Sequence, residues 1–185
     1  KGNLGAALEA YRKAVEAEPD NPFAWDGMGI AFRANGDLKG ALEAGTKATE
    51  YGPNEAQVWS NLGNTYAALG DDTAAQKNYI RATTLAPAFA DAWANRGMSE
   101  KRLKQAVDAA NSLTRAAGLM DNSPQALNSI GNQLFDLSEF EKARNCYKSA
   151  VDTDPKFANA WNNLGNTELQ LLHPDHAHNA YKQAL

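Results

Sequence analysis

Residues 56–89 read AQVWSNLGNTYAALGDDTAAQKNYIRATTLAPAF, and the pattern within them decides the fold. Trp59, Leu62, Gly63 and Tyr66 recur at three- and four-residue spacings, which places them on one face of an amphipathic helix. Gly70-Asp71 breaks that stripe. Ala75, Tyr79 and Ala82 then begin a second one, and Pro87 closes it, because a residue without an N–H that clashes with the preceding turn cannot continue a helix. The preceding stretch follows the same plan. Trp25, Met28, Gly29 and Phe32 share a face, Gly36-Asp37 breaks the run with Asp37 positioned to accept backbone N–H bonds, and Ala41, Leu42, Gly45 and Ala48 lead to Gly52-Pro53.

The plan repeats every 34 residues. Trp25/Gly29, Trp59/Gly63, Trp93/Gly97 and Trp161/Gly165 hold one register, and its remaining member keeps Gly131 with Leu127 in the tryptophan's place. Two alanine ladders run through the whole chain at the same interval: Ala7, Ala41, Ala75, Ala109, Ala143 and Ala177, then Ala14, Ala48, Ala82, Ala116, Ala150 and Ala184. Alanine at a helix crossing lets backbones approach closely. Tyr11, Tyr79, Tyr147 and Tyr181 then fill the wider gaps one turn away. Such a repeat buries its apolar face only by stacking on its neighbours, so an all-α array follows.

Bulk properties narrow the function classes. With 18 basic and 22 acidic residues the net charge is −4, which gives no nucleic-acid footprint. No apolar run is long enough to span a bilayer. The single cysteine, Cys146, cannot form an intramolecular disulfide, which favours a reducing, cytoplasmic compartment. The chain begins inside a repeat without an initiating Met, so it is expected to be a segment of a longer protein.

These residues resemble the tetratricopeptide repeat family, whose pattern W-x2-L-G-x2-Y, A-x3-F, P is matched in order by Trp59, Leu62, Gly63, Tyr66, Ala75, Tyr79 and Pro87, with tyrosine for phenylalanine. The resemblance covers the chain as a single array. A leading second helix at 1–21 is followed by full repeats at 22–55, 56–89, 90–123 and 124–157 and a shortened one at 158–185. It implies a right-handed superhelical solenoid of antiparallel helix pairs, a concave surface lined by the first helix of each pair, and protein or peptide binding without catalysis.

On those first helices stand Asn61, Asn64, Asn95, Asn128, Asn132, Asn162, Asn163 and Asn166. The family's matching positions face the groove. A carboxamide carries both donors and an acceptor, so a row of them suits the main chain of an extended peptide, and these eight are the candidate peptide-binding residues. Gly27 and Ile30 leave the row absent at the other end. Asp91, Lys101 and Arg102 are candidate secondary contacts. The third repeat departs furthest, with Arg96 and Glu100 at apolar places, Lys104-Gln105 for Gly-Asp and Asp121 for proline. Those departures admit either drift or a local opening that presents positive charge.

Other chemistries find little support. A chaperone-tail adaptor needs lysine and arginine converging on a carboxylate, but its places read Ser60, Asn64, Asn95, Gln125 and Ser129. His173, His176 and His178 cluster in sequence, yet the last two do not share a helix face, so no metal site is expected from the three. No catalytic residue, cofactor, nucleic acid or membrane contact is expected of this segment. The alternative role is a substrate-recruiting segment of a larger enzyme such as a glycosyltransferase. End-to-end self-association is expected where apolar repeat faces lack a cap.

Overall fold

The computed structural model describes residues 2–120 and 123–185. Among them are eleven helices and no strand: α1 (Gly2–Ala17), α2 (Pro22–Ala34), α3 (Leu38–Tyr51), α4 (Ala56–Ala68), α5 (Asp72–Leu85), α6 (Ala90–Arg102), α7 (Ala106–Ala117), α8 (Pro124–Asp136), α9 (Phe140–Thr153), α10 (Ala158–Gln170) and α11 (Pro174–Gln183). They fall into two compact units, Lys1–Ser99 and Glu100–Leu185. In the first unit α2 packs on α1 and α3, and α4 on α3, α5 and α2. In the second, α8 packs on α7, α9 and α10, and α10 on α9 and α11.

Helix starts and stops follow the local chemistry. Asp37 and Asp71 cap α3 and α5 by accepting from the main-chain N–H of Gly40 and Ala74, each at 2.9 Å. Ahead of those caps, Gly36 and Gly70 take φ of 82° and 80°, the left-handed conformation that closes the hairpin. The later turns lack glycine yet keep the geometry: Lys104, Ser138 and Leu172 sit at φ of 61°, 60° and 62°. The same main-chain bond spans every one of these turns, from Asp37, Asp71, Gln105, Glu139 and His173 to the carbonyl five residues earlier. The third turn therefore has the common geometry despite its sequence. What differs in that repeat is α7, which ends two residues short of the register set by α3, α5 and α9, at Gly118.

A clasp absent from the sequence reading fixes α2, α4, α6 and α10. The indole N–H of Trp25, Trp59, Trp93 and Trp161 donates to the main-chain oxygen of Pro19, Pro53, Pro87 and Pro155, six residues earlier, at 2.8, 3.0, 3.0 and 2.9 Å. A proline turn thus gives up a carbonyl that the helix cannot use. Leu127 has no side-chain N–H to donate, and its repeat is the one with Asp121 for proline, a residue outside those described. Leu127 is simply buried.

The alanine ladders lie in the core. Ala41, Ala75, Ala109, Ala143, Ala48, Ala82, Ala116 and Ala150 are wholly buried, and Ala177 nearly so, while Ala7, Ala14 and Ala184 are half-buried. Glu100 is also wholly buried. Arg96, half-buried, lays its guanidinium 5.1 Å from the Trp93 ring.

Candidate functional site

The asparagines occupy three columns on the first helices, each with a 34-residue step. Asp26, Ser60, Ala94, Asn128 and Asn162 form the first, Gly27, Asn61, Asn95, Ser129 and Asn163 the second, and Ile30, Asn64, Met98, Asn132 and Asn166 the third. Offsets of four and three residues put the third column on the same helix face as the other two.

In the first unit the amides tie neighbouring first helices together. The Asn61 Nδ2 on α4 donates to Asp26 Oδ2 on α2 at 2.8 Å, and the Arg33 Nη1 returns to the Asn61 main-chain oxygen at 3.0 Å. Asp26 is buried, and burial pushes its carboxyl above the usual carboxylate range against the opposing pull of the Asn61 bond and the Arg33 charge. The Asn64 Oδ1 accepts twice, from the Tyr79 hydroxyl at 2.8 Å and from Asn95 Nδ2 at 3.0 Å. Both its lone pairs are used.

The second unit repeats this arrangement. The Asn132 Oδ1 accepts from the Tyr147 hydroxyl at 2.7 Å and from Asn163 Nδ2 at 3.1 Å, and Asn163 also donates to Asn128 Oδ1 at 2.9 Å. The Asn166 Oδ1 accepts from the Tyr181 hydroxyl at 2.8 Å. Asn162 is exposed and turns its amide to the Ala158 carbonyl of its own helix at 3.2 Å. Asn132, Asn163 and Asn166 line a small cleft of about 120 Å³ with Phe135, Asp136 and Tyr147. Burial, with Cys146 and Asp136 nearby, raises the Tyr147 phenol's pKa, so its hydroxyl stays a donor.

Sequence reading missed the tyrosines as partners of the row. They stand 15 residues after the third column, and the two places change together: Ile30 with Gly45, Asn64 with Tyr79, Met98 with Leu113, Asn132 with Tyr147, Asn166 with Tyr181. An asparagine occurs where a hydroxyl can reach it and an apolar residue where none can. The signal was present at that spacing. Each carboxamide was expected to serve a ligand with both its donors and its acceptor, but these oxygens are already taken within the fold. Among the described residues, the amide nitrogens of Asn64, Asn132 and Asn166 donate to no protein group. At the other end the Tyr11 ring lies where a Cβ on Gly27 would fall, so that place has no room for a side chain.

The remaining candidates are scattered. Asp91 is exposed in the first turn of α6 and Arg102 is exposed at its last residue. Lys101 is engaged on α8, bonding Gln133 Oε1 at 2.9 Å and pairing with Asp136 at 2.7 Å. Its charge is thereby neutralised locally. Ser60, a place the chaperone-tail grip would use, is 2% exposed and out of a ligand's reach. Cys146 is buried on α9 with its thiol pushed up to about 11 by desolvation, which leaves little nucleophilic thiolate at neutral pH.

Comparison with known proteins finds the same repeat. Models described as Tetratricopeptide repeat match residues 1–56 and 56–89, and one described as TPR repeat matches residues 131–171. No curated protein matches the chain. Among solved structures, MamA is 25% identical with a TM-score of 0.70 over 85% of this chain and 92% of its own. YrrB, described as a TPR protein with an unusual peptide-binding site, is 23% identical with a TM-score of 0.75 over 96% of this chain and 92% of its own. PilF of Pseudomonas aeruginosa is 22% identical with a TM-score of 0.77 over 97% of this chain and 82% of its own.

Proposed function

The chain belongs to the tetratricopeptide repeat family, and from that membership we propose that it is a non-catalytic scaffold whose asparagine rows hold an extended peptide by its main chain. The observation that carries this reading is the state of the row. Tyr79, Tyr147 and Tyr181 fix the oxygens of Asn64, Asn132 and Asn166 and so fix the orientation of their amide nitrogens. A donor already held in place loses little entropy on binding. Such donors suit peptide carbonyls, which every residue supplies, so the demand on ligand sequence is low. Asn61, Asn95, Asn128, Asn162 and Asn163 complete the rows, with Asp91, Lys101 and Arg102 as secondary contacts. Ligand main-chain bonds carry no net charge, so affinity falls only weakly with salt.

The test uses the second unit's row. Peptides selected from an unbiased library are titrated against wild type and an Asn128→Ala/Asn132→Ala/Asn166→Ala variant, with Asn132→Asp/Asn166→Asp beside it. The aspartates keep an acceptor for each tyrosine hydroxyl while removing the outward N–H. At about 0.5–1.5 kcal/mol per hydrogen bond, the alanine variant is expected to lose about tenfold or more in affinity and the aspartate variant about fivefold or more. Unchanged affinity in the aspartate variant places the contacts elsewhere.

A further inference from the structure

At one place on each first helix the repeat has Phe32, Tyr66 and Leu134, but α6 has the wholly buried Glu100 there and α10 has Glu168, which is 7% exposed and, unlike Glu100, is followed by histidines. A carboxylate in so covered a place calls for a cation or a strong donor. The following turn supplies histidines. His173 takes the cap position of α11, where Asp37 and Asp71 bond the backbone in earlier turns, yet its side chain makes no capping bond. Its Nδ1 lies instead 2.9 Å from Glu168 Oε2. His176, on the same first turn, brings its Nδ1 to 3.7 Å from that oxygen, and one ligand atom from each of the three residues lies within 4.8 Å of the other two. The expectation of no metal site weighed the histidines alone; Glu168 takes the place that His178 does not fill.

We propose that Glu168, His173 and His176 form a binding site for a divalent cation of the zinc class. A tetrahedral ion with bonds of about 2.1 Å holds its ligand atoms about 3.4 Å apart, a value between the two distances to Glu168. Two imidazoles and one carboxylate suit zinc, cobalt or nickel; magnesium and calcium prefer oxygen throughout. Both imidazoles are partly exposed, with the His176 side chain at 68%, so the His176 ring can move onto the ion and the fourth position stays open to water or to a partner's group. The ion ties the end of α10 to the start of α11.

Untagged protein titrated with zinc by calorimetry, and with cobalt by its visible absorption, tests the site. One ion per chain, a tetrahedral cobalt spectrum and a zinc-dependent rise in Tm are expected. His176→Ala, at an exposed position, is expected to keep the metal-free Tm and weaken binding at least tenfold; Glu168→Gln is expected to weaken binding as much, while His178→Ala leaves binding unchanged. Absence of saturable binding, or equal binding in wild type and His176→Ala, overturns the proposal and leaves Glu168 and His173 as a turn-closing hydrogen bond.

Discussion

At the scale of single residues, a glycine and the tyrosine above it act as one part. A Cβ on Gly63 or Gly131 would stand 2.7 or 2.6 Å from the Tyr79 or Tyr147 ring, which its bond to Asn64 or Asn132 holds in place. In the first full repeat the tyrosine's place is Gly45, and a Cβ on Gly29 meets nothing closer than 3.4 Å. The same substitution in one register thus has opposite consequences. Gly63→Ala and Gly131→Ala are each expected to cost about 1–3 kcal/mol through overpacking. Gly29→Ala is expected to range from neutral to about 1 kcal/mol stabilising, because alanine favours the helix. Urea melts showing equal losses at all three sites would contradict this account.

Asp26 supports a second prediction at this scale. Its folded-state pKa is raised, chiefly by burial, so the folded protein binds a proton here more readily than the unfolded chain does. The stability this group contributes is present at low pH and is lost as pH rises through the folded pKa. Asp26→Asn keeps an acceptor for Asn61 and removes the buried charge. The variant is therefore expected to be more stable than wild type at neutral pH, with the difference shrinking as pH falls through the carboxylate range. A gap that widens on acidification would show that the Arg33 attraction outweighs burial.

Among elements, the hairpin turn shows what local chemistry imposes and what packing overrides. Gly36 and Gly70 take their positive φ at little cost, whereas Lys104, Ser138 and Leu172 hold the same conformation with a Cβ. The common main-chain bond across all these turns shows that helix pairing dictates the geometry. Lys104→Gly and Ser138→Gly are each expected to stabilise the protein by about 0.5–1 kcal/mol, and Gly70→Ala to cost about 1 kcal/mol. Thermal or urea melts check both signs, and a loss on Lys104→Gly would mean that its side chain holds the turn by contacts rather than enduring it. At Lys104-Gln105 the turn keeps the common geometry; the third repeat's difference is the early end of α7 at Gly118.

Over the whole molecule, the helices and their hairpin order were legible because one period fixes several residue types at once. The tryptophan register marked the first helices, the alanine ladders the crossings, and Gly-Asp the turns. Hydrogen bonds made by side chains outside their own helix were less legible. A tyrosine and an asparagine 15 residues apart, or a proline carbonyl and an indole, leave no mark in hydrophobic periodicity, and only the paired changes at two places disclose them. Asp26 went unread because its partner Asn61 stands on a neighbouring repeat. The division into two compact units within α6 also had no counterpart in the 34-residue pattern.

The central claim is that a ligand lies extended on the first helices and gives its carbonyls to amide nitrogens whose oxygens are already held. A crystal structure of the protein with a peptide recovered from an unbiased pull-down tests it most directly. The account predicts an extended segment on a first-helix face, with peptide carbonyls within hydrogen-bond distance of Nδ2 of Asn64, Asn132 or Asn166 and the tyrosine bonds intact. A ligand on the second helices, a helical ligand at an end face, or a peptide whose N–H groups displace the tyrosine hydroxyls from those oxygens would contradict it.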